Sequence, residues 1–269
     1  MAAMLGNRLM SLLLIYLLIL LAVFLLQRKM IYFPERHGPK QHRQILASLN
    51  LKSWPTDEEN RAVVSRTQVA SAKGTVVVFH GNAGSAMHRT YYIEALERLG
   101  YRVMVAEYPG YGARKGILSE AELIRDGITT AKKAWQEFRD PLFLCGESLG
   151  SGVVSGIVAS KEVPVKGLLL ITPFDSMANV AQHHYWFFFA KWLLKDKFDN
   201  LKNLEDFNGS TAVILAERDE IIPNRSTMAL YEALAGRKRL WRFEHAGHNT
   251  LPLASWNPWW REAMQFLDR

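Results

Sequence analysis

Three residue types follow one another in an order that can carry acyl transfer: a serine between glycines, then an acid, then a histidine, each just past an apolar run. Ser148 stands in Gly146-Glu147-Ser148-Leu149-Gly150, after the run Leu142 to Cys145 and before the small residues Ser151 to Gly156. That sequence spells strand, sharp turn, helix. In such a turn the central serine sits in strained backbone geometry with its hydroxyl exposed. The flanking glycines are needed because a Cβ at either place would collide with the adjoining strand or helix. The helix that follows aims unpaired N–H groups and its positive dipole end at the turn, where a negative oxygen would form. Gly-x-Ser-x-Gly also occurs in ordinary tight turns, so the flanking strand and helix carry the assignment of Ser148 as a nucleophile.

The partners are read from the same logic. Thr211 to Ala216 is an apolar strand followed directly by Glu217-Arg218-Asp219-Glu220. The carboxyl ends of strands carry the site in an open α/β sheet, so Asp219 is the expected orienting acid, ahead of Glu217 and Glu220. The strand Arg239 to Glu244 leads into His245-Ala246-Gly247-His248-Asn249. His248 is the expected base, able to swing over the turn, and His245 a structural loop histidine. Thr75 to His80 is a β-branched run suited to a strand covered on both faces, and Gly81-Asn82-Ala83-Gly84 follows it. A glycine-rich loop there either is a plain strand-to-helix turn or brings the Asn82 N–H beside the N–H of Leu149 as a two-donor oxyanion hole.

Strands and helices alternate around these residues. Ala62 to Ala70, Thr75 to His80, Arg102 to Glu107, Leu142 to Cys145, Val165 to Ile171, Thr211 to Ala216 and Arg239 to Glu244 read as strands. Tyr91 to Leu99, Ser119 to Phe138 and Ser226 to Leu234 read as helices, the second with Ser119 as N-cap. The pattern predicts an α/β fold with a mostly parallel, doubly wound sheet and helices on both faces. It breaks between residues 173 and 200, where His183-His184-Tyr185-Trp186-Phe187-Phe188-Phe189 and Trp192 form an aromatic-rich cap insertion. Those rings either line an acyl pocket or dip into a bilayer, or they pack the cap onto the sheet. His183 and His184 lack a third ligand at sensible spacing, so no metal site is expected.

Leu9 to Leu26 carries no charge and is long enough as a helix to cross roughly 27 Å, which predicts an uncleaved N-terminal transmembrane anchor over residues 1–30. Residues 31–72 then read as a linker with one leading strand, and 73–269 as the catalytic domain. Of the formal net charge of +7, +5 lies in residues 1–43, from Arg8, Arg28, Lys29, Arg36, Lys40 and Arg43 against Glu35. Those charges flank the apolar run without interleaved aromatics, so they read as membrane-flanking and nucleic acid is not an expected partner. Five of the six follow the helix, which by the positive-inside rule places the domain in the cytoplasm. The single cysteine, Cys145, excludes an internal disulfide and reads as a buried strand residue.

The order Ser148, Asp219, His248 resembles the α/β-hydrolase fold. More narrowly, HGNAG at 80–84, EYPGYG at 107–112, GESLGSG at 146–152, LITPFDS at 170–176, AERDEIIP at 216–223 and AGHN at 246–249 resemble membrane-anchored hydrolases of the Bem46 type. That resemblance covers roughly residues 73–269 and implies a serine hydrolase of esters or thioesters, in some relatives a protein depalmitoylase. Tyr108 and Arg114 in the loop region after the strand Arg102 to Glu107, and Trp186 in the cap insertion, are the expected substrate-binding residues at the pocket rim. Two departures stand out: the segment before Thr75 is short for a full set of leading antiparallel strands, and Arg114 replaces a serine common among relatives. The expected substrate is a lipidic acyl ester or an acylated protein, and the chemistry calls for no organic cofactor or metal. The rival readings are a non-catalytic membrane-tethered scaffold and a peptidase, which would need a large gating domain.

Overall fold

The computed structural model describes residues 2–67 and 69–269. Helix α1, Ala2–Ile31, is apolar around its circumference, and its stretch Met4–Ile31 is long and apolar enough to cross a membrane. The chain leaves it through β1, Phe33–Pro34, and α2, Pro39–Ser48, into β2, Leu51–Trp54, and β3, Ala62–Ser65. Then come β4, Thr75–Phe79, the two-residue β5, Ala83–Gly84, α3, Thr90–Glu97, and β6, Arg102–Ala106. Next are α4, Glu120–Phe138, β7, Leu142–Glu147, α5, Leu149–Ser160, and β8, Val165–Ile171. The cap holds α6, Met177–His184, and α7, Ala190–Leu193, and leads to α8, Asn200–Asn203. The chain finishes with β9, Ser210–Ala216, α9, Asn224–Ala233, β10, Lys238–Phe243, and α10, Pro258–Asp268.

Eight strands form one sheet in the order β10-β9-β8-β7-β4-β6-β3-β2. The six from β10 to β6 pair in parallel, while β3 runs antiparallel to β6 and β2 antiparallel to β3. β2 corrects the expectation that residues 31–72 form a linker with one leading strand, since two antiparallel strands precede β4. Its Leu51 and Trp54 are buried while Lys52 points out, but four residues at a sheet edge are too few to show alternation. β3 ends at Ser65, short of the expected Ala70, and Gln68 within that run lies outside the described residues.

Both faces of the sheet are covered. Val77, Leu144, Leu170 and Val213 pack against Leu123 of α4 and Val153 and Ile157 of α5. Val76, Val78, Cys145 and Ile214 pack on the other face against Tyr92 and Leu96 of α3 and Trp260 and Met264 of α10. This is why β4 is β-branched without alternation: each side chain has a helix over it. Ser119 caps α4 as expected, its hydroxyl accepting from the Glu122 N–H at 3.2 Å. Trp259 and Trp260 are buried, whereas Trp256 precedes α10 and is exposed.

Half-buried Glu97 has its carboxyl pushed up to about 7 by desolvation, opposed by the Ser65 hydroxyl. Between the ordinary carboxylate range and pH 7 the folded state therefore holds a proton that the unfolded chain has released, so stability falls as pH rises through that window. Glu97→Gln is expected to flatten this fall, matching wild type near pH 4 and exceeding it near pH 8 in urea unfolding of detergent-solubilised protein.

Candidate active site

The turn after β7 has the strain its sequence predicts. Ser148 has φ 50° and ψ −116°, a conformation that costs a non-glycine residue about 1–3 kcal/mol. It is held from both sides: the Ser148 N–H donates to the Ile171 carbonyl of β8 at 2.9 Å, and the Ser151 hydroxyl donates to the Ser148 carbonyl at 2.7 Å. A Cβ on Gly146 would lie 2.7 Å from the Ser151 Cα, and one on Gly150 would overlap the Phe79 carbonyl oxygen and lie 2.6 Å from its carbon. The first glycine clears the helix and the second the neighbouring strand. Because main chain cannot retreat as a side-chain tip can, Gly150→Ala is expected to lower stability by about 3 kcal/mol, read as a lower urea midpoint.

His248 reaches over this turn from the loop after β10. Its Nε2 lies 3.0 Å from Ser148 Oγ and its Nδ1 lies 2.7 Å from Asp219 Oδ2. A carboxylate carries no proton, so Nδ1–H donates to Asp219, and Nε2 is left to accept from the serine hydroxyl. Asp219 Oδ1 accepts from the N–H groups of Ile221 at 2.9 Å and Ile222 at 2.7 Å, which fixes the carboxylate plane. The other candidates have different partners. Glu217 pairs with Arg242 at 3.3 Å, Glu220 accepts the His248 backbone N–H at 3.3 Å, and His245 lies 3.1 Å from Arg218.

Asn82 and Leu149 line the same cavity as Ser148 and His248. Leu149 opens α5, where a backbone N–H has no helical partner. The Asn82 side chain donates to the Ile31 carbonyl at 2.8 Å, and its own carbonyl accepts from the Phe33 N–H at 3.0 Å and the Tyr111 hydroxyl at 2.7 Å. β1 pairs in parallel with β5 next to it, so the exit of α1 is fastened to the loop after β4.

The expected pocket rim is corrected at all three positions. Tyr108 is buried beneath the loop, its hydroxyl donating to the His80 carbonyl at 2.7 Å. Arg114 turns away to α4, where it forms a bidentate pair with Asp126 at 2.6 and 2.7 Å and donates to the Glu107 carbonyl. Trp186 is 68% exposed, while Tyr185 and Phe188 of the same segment line the cavity. A 3-10 turn over Trp186–Phe188 puts residues three apart on one face and sends the intervening ring outward.

The cavity has a volume of about 490 Å³. One of its walls comes from an element the sequence reading kept apart from the site: Val23, Phe24, Gln27 and Ile31 of α1 line it. Gln27, a polar residue closing an apolar helix, was the available signal. Glu147 lies beside Ser148, its Oε2 accepting from the hydroxyls of Tyr92 at 2.8 Å and Tyr91 at 3.1 Å and lying 3.3 Å from Arg89 Nε. Burial, reinforced by the Glu147 charge, pushes both phenols up, so they remain donors to it.

An eight-stranded sheet with a strained serine after its central strand, and an acid and a histidine following later strands, defines an α/β-hydrolase. The chain belongs to that family. The profile of the family described as serine aminopeptidase S33 matches residues 70–203. An uncharacterized protein of Mycobacterium tuberculosis is 30% identical over 241 residues, which are 83% of this chain and 80% of the relative. The lysophosphatidylserine lipase ABHD12 of Mus musculus is 29% identical over 188 residues, 62% of this chain but only 47% of that longer protein. Among solved structures, the monoacylglycerol lipase of Paleococcus ferrophilus aligns with a TM-score of 0.57 at 18% identity, covering 75% of this chain and 97% of that one. A lipase-esterase related protein of Clostridium acetobutylicum gives 0.58 at 14% identity, covering 74% and 98%.

Proposed function

We propose that this chain is a membrane-anchored serine hydrolase of lipidic acyl esters. The observation that carries the reading is the hydrogen-bonded series Ser148, His248, Asp219 opening onto an apolar cavity walled in part by α1. The relative named a lysophosphatidylserine lipase is in keeping with a lipid ester as substrate. In the reaction His248 Nε2 takes the Ser148 proton as Oγ attacks the acyl carbon, and Asp219 steadies the imidazolium that forms. The N–H groups of Asn82 and Leu149 receive the oxyanion. Collapse of the tetrahedral species breaks the bond to the leaving oxygen, which takes the proton from His248. Water, deprotonated by the same nitrogen, then attacks the acyl-enzyme, releases the fatty acid and restores Ser148. A thioester follows the same steps with a thiolate leaving group, so acylated proteins are a second substrate class for the same site.

An anchored enzyme has an energetic reason to prefer lipids. Drawing an acyl chain through water costs about 0.8 kcal/mol per methylene, a cost avoided when the site borders the bilayer. The basic residues Arg28 and Lys29 in the last turn of the helix, and Arg36, Lys40 and Arg43 beyond it, favour a cytoplasmic catalytic domain by the positive-inside rule. The test of substrate class is a chain-length series of glycerol monoesters and acyl thioesters. Turnover that rises with chain length supports the reading, and a preference for acetyl esters overturns the lipid assignment.

A further inference from the structure

The cap and α1 are joined at two heights. Near the membrane exit, Gln27 Nε2 donates to the Leu193 carbonyl at 3.3 Å, and its Oε1 accepts from the Lys195 N–H at 2.6 Å. Beside it Arg28 pairs with Asp196 at 2.9 and 3.0 Å, and the Tyr32 hydroxyl donates to the same carboxylate at 3.0 Å. Further up the helix, the Tyr16 hydroxyl donates to the Phe187 carbonyl. Tyr16 lies ten residues before Leu26, the end of the uncharged run, so the cap reaches roughly 15 Å along the membrane-spanning part of the helix. Between the two sets of polar ties, Val23 and Phe24 line the cavity onto which Ser148 opens.

The exposed surface of the cap fits that depth. Trp186 and Trp192 are 68% and 70% exposed, with Phe187 and Phe189 open beside them. An apolar patch of this kind facing water would be a liability, whereas against acyl chains it is matched. The leucines and isoleucines of α1 from Leu5 to Leu26, Leu20 excepted, are exposed in the same way.

We propose that the carboxyl-terminal half of α1 is part of the substrate site. A single-chain acyl ester enters sideways from the bilayer leaflet between α1 and the 185–193 segment. Its tail lies against Val23 and Phe24, and its ester reaches Ser148. The inference rests on the serine-hydrolase reading above and assigns its anchor a second role: the helix that holds the enzyme at the lipid also measures the chain. The polar ties at Gln27 and Arg28 close the lower end of the seam, so the tail points up the helix toward the bilayer centre.

The test uses the full chain reconstituted in phospholipid vesicles and compares an ethyl with a hexadecyl fluorophosphonate reacting at Ser148. Val23→Trp fills the wall and is expected to lower the ratio of long-chain to short-chain labelling rate by about tenfold or more. Val23→Phe, a smaller filler, lowers it in the same direction by less. Leu25→Trp sits on the lipid-facing side, where Leu25 is 64% exposed, and is expected to leave the ratio within about twofold of wild type. Using a ratio separates a blocked tail from a damaged fold, since damage slows both reagents together. Equal ratios in Val23→Trp, Val23→Phe and wild type would overturn the inference while leaving the hydrolase reading intact. Failure of both reagents to label folded wild type would overturn that reading, and the inference with it.

Discussion

Ser148→Ala is expected to abolish ester hydrolysis, lowering kcat by on the order of 10⁴ to 10⁶, and to remove fluorophosphonate labelling altogether. The loss is large because the other groups have nothing to activate: His248 Nε2 would face a methyl group instead of an oxygen at 3.0 Å. The backbone should be untroubled. The turn is held by its main chain, through the Ser148 N–H to Ile171 and the Ser151 hydroxyl to the Ser148 carbonyl, and neither bond uses the Ser148 side chain. Alanine at φ 50° bears the same kind of strain as serine, so the unfolding midpoint should stay near that of wild type. Measured together, unchanged stability with lost turnover identifies Ser148 as the nucleophile. Hydrolysis that persists in the variant at the wild-type rate would refute the mechanism and favour the membrane-tethered scaffold.

What the sequence made legible was local chemistry attached to the ends of strands. The turn at Ser148 announces itself within seven residues, because the strain, the glycine clearances and the helix start are neighbours in the chain. That Asp219 and His248 come to lie beside the Ser148 turn was readable because each follows a strand whose carboxyl end faces the same edge of this kind of sheet. The wall residues were another matter. Whether Arg114 faces the cavity depends on Asp126 at its far side, and Tyr108 is fixed by a carbonyl 28 positions away. Side-chain direction in such loops is a tertiary outcome, and residue type alone gives no handle on it. The same limit hid the double use of α1. An apolar helix reads as an anchor whichever face it turns to a protein partner, and the polar residues at its end, Gln27 and Arg28 among them, are the signal that one face is used. The Asn82 side chain, bonded to the Ile31 carbonyl, shows the consequence: the loop proposed to stabilise the oxyanion is tied to the exit of α1.

Asp219→Asn is expected to lower kcat/KM by about 10⁴-fold near neutral pH while the protein stays folded. The loss follows from the direction in which the new amide must point. Oδ1 of residue 219 accepts two backbone N–H groups, from Ile221 and Ile222, and an NH₂ placed there would face two donors. The amide oxygen therefore stays on that side, and the NH₂ group is directed at His248 Nδ1, where the Oδ2 carboxylate oxygen lay at 2.7 Å. A donor in that position forces Nδ1 to act as acceptor and moves the ring proton to Nε2. The nitrogen facing Ser148 then carries a hydrogen and cannot take another, so the hydroxyl is no longer activated. Glu217→Gln provides the contrast, since Glu217 meets Arg242 at the surface and should change kcat/KM by no more than about twofold. A steady-state comparison of the two variants on one medium-chain ester, with urea midpoints measured alongside, decides the matter. If Glu217→Gln proves the more damaging, the orienting acid is not Asp219.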